Sequence, residues 1–596
     1  MTGPDEDVNA LYDAPLPADR TGPLYNAFSY PTKISAESVG LFIACHTQPG
    51  DRVLDVFGGS GTTAIGALLC ERPTERMLGI AAERGLSPKW GARDATVYEL
   101  SEIGTLLARV MTHAPDPREF EAAACRLLAD AEQTEPELYQ AQSPSGDSGT
   151  IRQVIWSDVV RCPRCGLETT YAATRVRYEP LRFEDFHTCE CGYHGASDSW
   201  SRVIDEHPDP WTGKSSPRRK RVPWKVYGAS KSGNWSRQAT EHDGIVAAAV
   251  GDTLPEGAPI AEIRWGDLHR SGYHQGMTHL HHLYTPRNFR ALATVWSLIA
   301  QQPAHLHEAL RLWVLSYNAS HSTLMTRVVV KKNVRDFVVT GAQSGVMYVS
   351  GLPVEKNVFV GLRRKVKTFT DAFTLLHGLS GDAEIVTGSS TDLHLADESI
   401  DYVFTDPPFG AYIPYSEINQ LNELWLGATT DTAEEAIISP AQNKDLGEYQ
   451  GLLTSVFTEV ARVMKAKADV TLVFHSAHAS VWQALTAGLA EAGLTVTAAS
   501  ILDKTQGSFK QVSGHNAVSG DPLLRLSKAA PIALTPSRNV SMLDMAASPE
   551  RSAASTDTGS VRSRHHEYSA LVGKALVGGV PVTLDASALY RLRGRE

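Results

Sequence analysis

The segment Asp55-Val-Phe-Gly-Gly-Ser-Gly-Thr-Thr63 decides the fold, because an apolar run enters a glycine-rich turn there and a helical pattern follows as far as Cys70. Glycines allow positive φ and let the backbone approach a ligand closely, and a helix N-terminus offers unpaired amides to a polar group. The segment therefore predicts a strand, a turn and a helix that together bind a ligand. A tight turn packed under a helix is the structural alternative. The spacing fits neither the Gly-x-Gly-x-x-Gly dinucleotide fingerprint nor a phosphate-binding loop that ends in Gly-Lys-Thr.

A second segment, Ser399-Ile-Asp-Tyr-Val-Phe-Thr-Asp-Pro-Pro-Phe-Gly410, carries the strongest signal for chemistry. Its two prolines fix φ and remove two amide donors, so the loop after the strand is stiff. Asp406 can accept a hydrogen bond from an exocyclic amine, and Phe409 can stack on a planar base. We expect Asp406 and the Pro407 carbonyl to bind such an amine together. An ordinary proline turn is the alternative.

Both segments resemble motifs of the DNA amino-methyltransferases, which use S-adenosylmethionine. The glycine-rich segment resembles motif I of this family, and Tyr30-Pro-Thr-Lys-Ile34 resembles motif X, which closes over the methionine end of the cofactor. The resemblance implies that the catalytic residues are Asp406, Pro407, Pro408 and Phe409. It implies that the cofactor-binding residues include Tyr30, Pro31, Lys33, Asp55, Phe57, Gly58, Gly59, Gly61, Thr62 and Thr63.

The family also has an acidic residue at the end of the next strand, where it accepts hydrogen bonds from the ribose hydroxyls of the cofactor. The usual spacing falls near Ala81, which is not acidic, and Glu83 is close by. However, Ala95-Thr-Val-Tyr-Glu-Leu-Ser-Glu-Ile-Gly-Thr-Leu-Leu107 resembles the strand, acid and helix of the family. The resemblance therefore favours Glu99, with residues 71–94 as an insertion. A helix-capping acid is the structural alternative.

The resemblance implies an α/β fold, a Rossmann-like S-adenosylmethionine-dependent methyltransferase domain split by a long insertion that contains a zinc ribbon. It implies direct methyl transfer to a flipped base of double-stranded DNA, because an exocyclic amine lies within the duplex stack. The Asp-led motif favours adenine N6, with cytosine N4 as the first alternative. An RNA guanine N2 methyltransferase and a non-catalytic nucleic-acid-binding protein are the others. A partner protein from a restriction or defence system stays open.

Four of the seven cysteines lie close together in the sequence. Cys162-Pro-Arg-Cys165-Gly166 has the spacing of a zinc knuckle, and Cys189-Glu-Cys191-Gly-Tyr-His194 follows it. Two such pairs are typical of a structural Zn²⁺ site. The second pair is one residue short, so either Cys189 and Cys191 both bind the ion or Cys191 and His194 form the pair, and His187 is a further candidate. Free buried thiols are the alternative.

A basic segment extends from Lys214 to Arg237 and contains no acidic residue, with Trp224, Tyr227 and Trp235 interleaved. Such a segment is typical of phosphate binding combined with aromatic stacking. A solvated loop is the structural alternative. The candidate nucleic-acid-binding residues are Arg218, Arg219, Lys220, Arg221 and Lys225.

Three histidines, His279, His281 and His282, lie in the segment from Thr278 to Arg287. A metal site is one interpretation, but no carboxylate sits at matching spacing. We therefore expect structural histidines that precede a helix starting near Pro286.

The composition is that of an ordinary globular protein, with 596 residues, 42% apolar and 21% charged. A net charge of −11 excludes a small, wholly basic nucleic-acid-binding module, so DNA contacts require local basic patches.

Sparse cysteines, no long apolar run and no secretory signal favour a cytoplasmic protein without a membrane segment. We expect an N-terminal methyltransferase part (1–113), a helical connector (114–155), a zinc-ribbon and basic DNA-recognition insert (156–260), a mixed bridging region (261–380), a C-terminal methyltransferase part (381–528) and a flexible tail with a short helix (529–596).

Overall fold

The computed structural model describes residues 4–13, 16–18, 21–196, 199–248, 254–342, 346–504, 520–528, 541–547 and 561–592. The chain divides into two compact units. The first comprises Met1–Ala114, Ala372–Ser416 and Thr429–Glu596, and the second comprises Pro115–Asp371 and Glu417–Ala428.

The strands of both units are numbered in chain order. They are β1 (Leu16–Ala18), β2 (Arg52–Asp55), β3 (Asp94–Glu99), β4 (Gln140–Gln142), β5 (Ser148–Arg161), β6 (Glu168–Thr170), β7 (Val176–Tyr178), β8 (Leu181–Phe183), β9 (Phe186–Thr188), β10 (His194–Ala196), β11 (Ser201–Arg202), β12 (Ile204–Asp209), β13 (Lys214–Arg219), β14 (Arg221–Ser230), β15 (Gly233–Gln238), β16 (Val328–Val329), β17 (Val338–Val339), β18 (Val354–Lys356), β19 (Ala383–Thr387), β20 (Ile400–Thr405), β21 (Met464–Val473), β22 (Thr495–Lys504) and β23 (Asp521–Ser527).

The helices are numbered in the same way. They are α1 (Pro4–Asp13), α2 (Pro23–Asn26), α3 (Ala36–His46), α4 (Thr62–Leu69), α5 (Glu75–Glu83), α6 (Glu102–Thr112), α7 (Pro117–Thr134), α8 (Tyr171–Arg175), α9 (Glu241–Ala248), α10 (Ser271–His274), α11 (Pro286–Leu298), α12 (His307–Leu315), α13 (Asn318–His321), α14 (Val358–Leu376), α15 (Tyr415–Leu426), α16 (Leu446–Val463) and α17 (Ala479–Glu491). Three more helices follow at Met542–Ala547, Val561–Val577 and Ala586–Leu592, and short 3-10 helices lie at Leu280–Leu283, Ile299–Gln301, Ala304–Leu306 and Pro440–Gln442.

The first unit is built on an eight-stranded sheet in the order β1-β22-β23-β21-β20-β2-β3-β19. Strands β19, β3, β2, β20 and β21 are mutually parallel, and β23 is antiparallel to both β21 and β22. Numbered by their occurrence in the chain, the five parallel strands have the order 3-2-1-4-5, which is that of the first five strands in doubly wound dinucleotide-binding sheets. The strand order reverses direction between β2 and β20.

Apolar clusters cover both faces of this sheet. Val53 packs with residues of α3 and α4, whereas its neighbour Leu54 packs with residues of α16 and α17. Successive residues of a strand point to opposite faces, so these helices form layers on either side of the sheet. Central parallel strands buried on both faces are expected to be apolar, and the middle of each strand is so, with Val53 and Leu54 in β2 and residues 402–404 in β20. The α/β fold class is confirmed.

The C-terminal segment differs from the flexible tail that its composition predicts. The last helices place Tyr568, Val572 and Leu589 in the same apolar cluster as Trp482. The Tyr568 hydroxyl donates a 2.9 Å hydrogen bond to the Leu584 carbonyl. The composition there is rich in Ser, Ala and Thr, but these few large apolar side chains are enough to hold the described helices on the core.

The second unit is organised by β5, a strand of 14 residues. It belongs to a seven-stranded sheet with the path β11-β5-β14-β15, and β4, β6 and β18 also pair with β5. The predicted helical connector is therefore only partly helical, because α7 ends at Thr134 and β5 already begins at Ser148. The helix predicted near Pro286 is present as α11.

No helix in the described part of the chain is both long and apolar enough to span a bilayer.

Candidate functional site

The glycine-rich turn and the Asp406 loop lie at the same edge of the first unit's sheet. The turn follows β2 and the loop follows β20, and these two strands are adjacent and parallel. In open α/β sheets, ligands bind beyond the carboxyl ends of the strands where the strand order reverses. The two segments singled out in the sequence therefore meet where such a fold binds its ligand.

Asp55, at the end of β2, holds the turn and the loop together. Its Oδ2 accepts a 2.6 Å hydrogen bond from Thr63, and its Oδ1 accepts bonds from the Phe57 amide at 3.0 Å and the Thr405 hydroxyl at 2.8 Å. Burial raises the pKa of Asp55 above its usual value, although these hydrogen bonds act in the opposite direction. Asp55 and Thr63, both expected to border the cofactor, therefore use their polar atoms inside the protein.

The glycines of the turn are required by close contacts. A Cβ on Gly58 would lie 2.2 Å from Val97 on the adjacent strand, and one on Gly61 would lie 2.6 Å from the Ala108 side chain. Gly61 also has φ +70° and precedes the first residue of α4. A Cβ on Gly59 would meet only ordinary contacts, the nearest being Tyr30 at 3.5 Å. Gly59 is favoured instead by its backbone conformation, since its φ is +50°.

Glu99 ends β3, the strand next to β2, and its carboxylate faces the glycine-rich turn. Its Oε2 accepts a 2.6 Å hydrogen bond from the Gly59 amide, and its Oε1 accepts bonds from the amide and hydroxyl of Ser101. Burial raises the pKa of Glu99 to about 7, with the Ser101 and Gly59 hydrogen bonds opposing that rise. Glu83, the alternative acid, ends helix α5 instead of a strand. Glu99 is therefore the acid that ends the strand beside the turn, and its contact with a ribose stays a prediction.

Residues 30–33 lie over this site in part. The Tyr30 ring stacks on Tyr415, with centroids 6.4 Å apart, and Thr32 Oγ1 lies 2.9 Å from the Tyr415 hydroxyl. Lys33 differs from its expected role, because its buried ammonium donates to the carbonyls of Leu24, Tyr25 and Phe28 at 2.9–3.5 Å. A lysine held by three backbone carbonyls fixes the preceding segment, so of the predicted cofactor contacts in this segment only Tyr30 and Pro31 stay predictions.

The Asp406 loop is held by contacts that the sequence did not reveal. The Pro408 carbonyl accepts hydrogen bonds from the Tyr449 hydroxyl at 2.6 Å and from the Gly410 amide at 3.0 Å. Tyr449 lies 41 residues after Pro408 and belongs to no motif, so only the fold brings the two together. Asp406 itself is half-buried.

Phe409 differs from its expected role as an open stacking surface. It is only 7% exposed, and its ring packs edge-on against Phe474 at 5.5 Å and near His475 at 5.9 Å. The ring belongs to an apolar core cluster that also contains Phe474. Its packing stabilises the loop in this conformation.

The turn after β19 completes the edge. The Ser390 hydroxyl donates a 2.6 Å hydrogen bond to the Val56 carbonyl, and the Gly388 amide donates to the Glu99 carbonyl at 3.0 Å. The ends of β19, β3, β2 and β20 are thereby linked in one continuous network around the glycine-rich turn.

Comparison with known families finds a match in the N-terminal part of the chain. Residues 8–85 match a family model described as "DNA methylase", N6_N4_Mtase. The matched segment contains both the Tyr30 region and the glycine-rich turn, and it supports a DNA methyltransferase that acts on an amine. A solved structure, "Structure of an Antibiotic Related Methyltransferase", matches at 14% sequence identity over 27% of this chain and 70% of that chain, with a TM-score of 0.15. No curated protein matches the chain.

Four cysteines of the second unit converge on one point. The Sγ atoms of Cys162, Cys165, Cys189 and Cys191 all lie within 4.8 Å of one another. Cys162 Sγ is 3.8 Å from Cys191 Sγ, and Cys165 Sγ is 3.6 Å from Cys189 Sγ. Tetrahedral Zn²⁺ with Zn–S bonds of about 2.3 Å requires sulfurs about 3.8 Å apart. The four thiols could therefore bind one zinc ion.

The two histidine alternatives do not join this cluster. His194 Nδ1 lies 3.0 Å from the Thr188 hydroxyl, and His187 Nδ1 lies 2.6 Å from the Thr174 hydroxyl. The short Cys-x-Cys spacing is accommodated by a tight turn at Gly192, whose φ is +82° and whose amide donates to the Cys189 carbonyl at 2.9 Å.

The basic segment forms strands β13, β14 and β15, and the five candidate nucleic-acid-binding residues in it lie beside acids from elsewhere in the second unit. Asp158, which is fully buried, accepts hydrogen bonds from Arg202 and Arg219 at 3.0 Å and from Arg221 at 2.8 Å. The remaining candidates lie beside acids too: Lys225 is 2.6 Å from Asp336, Lys220 is 3.0 Å from Glu168, and Arg218 is 3.8 Å from Asp209. The side chains of Arg219 and Arg221 are only 3% and 14% exposed, whereas that of Lys220 is 43% exposed. Arg219 and Arg221 therefore stabilise the sheet.

The carboxylate of Asp209 lies beside His281 and His282. The sequence spacing did not indicate this acid. Both Nε2 atoms lie within 2.9 Å of Asp209 Oδ2, and all three side chains are buried. His282 Nδ1 accepts the Thr278 amide at 3.1 Å, so its proton sits on Nε2 and is donated to Asp209. A metal at His282 Nε2 would need the opposite tautomer, so this hydrogen-bond network favours the predicted structural role of the histidines.

Proposed function

We propose that this chain transfers a methyl group from S-adenosylmethionine to an exocyclic amine of a base in double-stranded DNA, with adenine N6 as the favoured acceptor. One observation carries the proposal. The glycine-rich turn with Glu99 and the Asp406 loop lie side by side at the reversal of strand order, and the Asp55–Thr405 hydrogen bond joins them. Rossmann-like cofactor binding and amine chemistry need this adjacency, because the methyl donor and the acceptor nitrogen must meet in line.

The residues around the turn fit the cofactor. Glu99, whose Oε2 accepts from the Gly59 amide, would offer its carboxylate to the ribose hydroxyls, and the Tyr30 ring lies beside Gly59. S-adenosylmethionine supplies an electrophilic methyl group on a sulfonium. Pro31, Phe57, Gly58, Gly61 and Thr62 shape the walls of the site in this proposal.

The Asp406 loop provides the acceptor side. The carboxylate of Asp406 accepts a hydrogen bond from the amine, which favours a more tetrahedral nitrogen with its lone pair directed at the methyl carbon. The new N–C bond forms as the C–S bond breaks with its electron pair on sulfur, and the amine then releases one proton to Asp406 or solvent. Positioning and electrostatics supply the rate, and no covalent enzyme intermediate is required.

Cytosine N4 is the alternative acceptor, because the matching family model spans both N6 and N4 chemistry by its name.

The zinc-ribbon and basic regions of the second unit are proposed to contact DNA. The half-exposed Lys220 is the best-placed of the five basic candidates for a phosphate, since the others are less exposed. Zinc held by the four cysteines would be structural, as a closed four-ligand set leaves no open position.

Labelled S-adenosylmethionine tests this proposal directly. The full-length protein is incubated with the label and unmethylated genomic DNA in the presence of competing RNA. We expect label in DNA. Label only in RNA would replace the proposal with RNA guanine methylation, and no transfer to either polymer would reject catalysis.

A further inference from the structure

The carbonyl of Pro408 has both of its lone pairs occupied. The Tyr449 hydroxyl donates to it at 2.6 Å and the Gly410 amide at 3.0 Å. Pro408 cannot donate through its own nitrogen, and neither can Pro407. The loop therefore has few backbone hydrogen bonds of its own, and the bond from Tyr449 joins it to a separate helix.

Tyr449 is itself held rigidly. It is fully buried in the first turn of α16. The start of this helix is fixed by a capping box, in which Asp445 accepts the Gly447 and Glu448 amides at 2.7 and 3.1 Å and Glu448 accepts the Asp445 amide at 2.7 Å. Burial raises the pKa of the Tyr449 hydroxyl above its usual value, so it remains a donor at neutral pH.

We propose that Tyr449 is a positioning residue for methyl transfer, because its hydroxyl fixes the Pro408 carbonyl and thereby the backbone that carries Asp406 and Pro407. The inference rests on the proposed function of this loop. The Pro408 carbonyl already accepts from Tyr449 and Gly410. The Pro407 carbonyl, which is next to Asp406, can therefore accept a hydrogen bond from the second N–H of the amine. Tyr449 contacts the loop and has no direct part in the chemistry.

Replacing Tyr449 by Phe removes the hydroxyl and keeps the ring. Tyr568→Phe is the matched control, since Tyr568 is also buried and donates to a backbone carbonyl, that of Leu584, away from the loop. We expect Tyr449→Phe to lower the single-turnover rate constant by about tenfold, which corresponds to the loss of one hydrogen bond. The Kd for S-adenosylmethionine and the Tm should match those of the control. A rate constant equal to that of Tyr568→Phe would overturn the inference.

Amide hydrogen exchange measures the protection of the loop backbone and does not depend on methyl transfer. We expect peptides that cover Thr405–Tyr412 to exchange faster in Tyr449→Phe than in the wild type or in Tyr568→Phe. Unchanged exchange would overturn the inference even in an active enzyme. If the wild type transferred no methyl group, the proposed function would fail, and the exchange result would still decide whether Tyr449 holds the loop.

Discussion

The hydroxyl of Thr405 donates a 2.8 Å hydrogen bond to Oδ1 of Asp55. Thr405 is the residue before Asp406, and Asp55 begins the glycine-rich turn. Both side chains are buried, so this bond is shielded from water and fixes the distance between the cofactor side and the acceptor side of the site.

Thr405→Val should therefore destabilise the first unit and weaken the site together. The substitution keeps the shape of the side chain but leaves the buried Asp55 carboxylate with one donor fewer. We expect the free energy of unfolding to fall by about 1–3 kcal/mol, as measured by denaturant titration. Thr458→Val is the control, because the exposed Thr458 hydroxyl bonds only to the Thr454 carbonyl of its own helix. Equal stability of the two variants would argue against a buried link.

Cofactor affinity should depend on pH through Glu99. Burial raises the pKa of this carboxyl to about 7, and only its ionised form accepts hydrogen bonds on both oxygens from ribose hydroxyls. The Kd for S-adenosylmethionine should therefore rise as pH falls below 7, by up to about tenfold per pH unit. Isothermal titration calorimetry across this range measures it. Glu99→Gln should abolish the dependence and Glu83→Gln should retain it, and a pH-independent wild type would contradict the assignment.

Metal analysis should find about one zinc per chain, since the four sulfurs have tetrahedral spacing. Cys165→Ser and Cys191→Ser should each lose most of the zinc and lower the Tm, because a structural ion contributes folding free energy. His194→Asn should retain the zinc, as His194 bonds instead to Thr188. Zinc loss in His194→Asn with retention in Cys191→Ser would restore the alternative ligand pair.

Substitutions in the basic segment should have two different effects. Arg219 should contribute to stability, and Lys220 should contribute to DNA binding. Arg219→Gln should lower the free energy of unfolding by about 3 kcal/mol, because it disrupts a buried ion pair with Asp158. Lys220→Gln should leave stability unchanged, weaken DNA binding and reduce the salt dependence of log K by about one. Fluorescence anisotropy at several salt concentrations checks the second result. A stable Arg219→Gln protein with weakened DNA binding would reverse the assignment.

Local patterns in the sequence were sufficient for the strand and helix around Gly59 and for placing Glu99 at the end of the next strand, because both depend on residues that are near in the chain. Contacts between distant segments were not predictable. The sequence does not reveal which strands are adjacent, and so it concealed the Thr405–Asp55 bond and the position of Tyr449. The same limit explains the basic segment, whose acidic partners Asp158 and Asp336 lie outside it. The sequence predicted one short helix in the C-terminal segment, but the packing of the described C-terminal helices on the core was missed because a few apolar residues are spread through a polar composition.

The central claim is tested most directly by nucleoside mass spectrometry of unmethylated DNA after incubation with S-adenosylmethionine and the full-length protein. We predict N6-methyladenine with the wild type and none with Asp406→Asn, while both proteins bind the cofactor with similar affinity. N4-methylcytosine in place of N6-methyladenine would correct the base and keep the site. The absence of any methylated nucleoside with the wild type, or equal methylation by Asp406→Asn, would contradict the account.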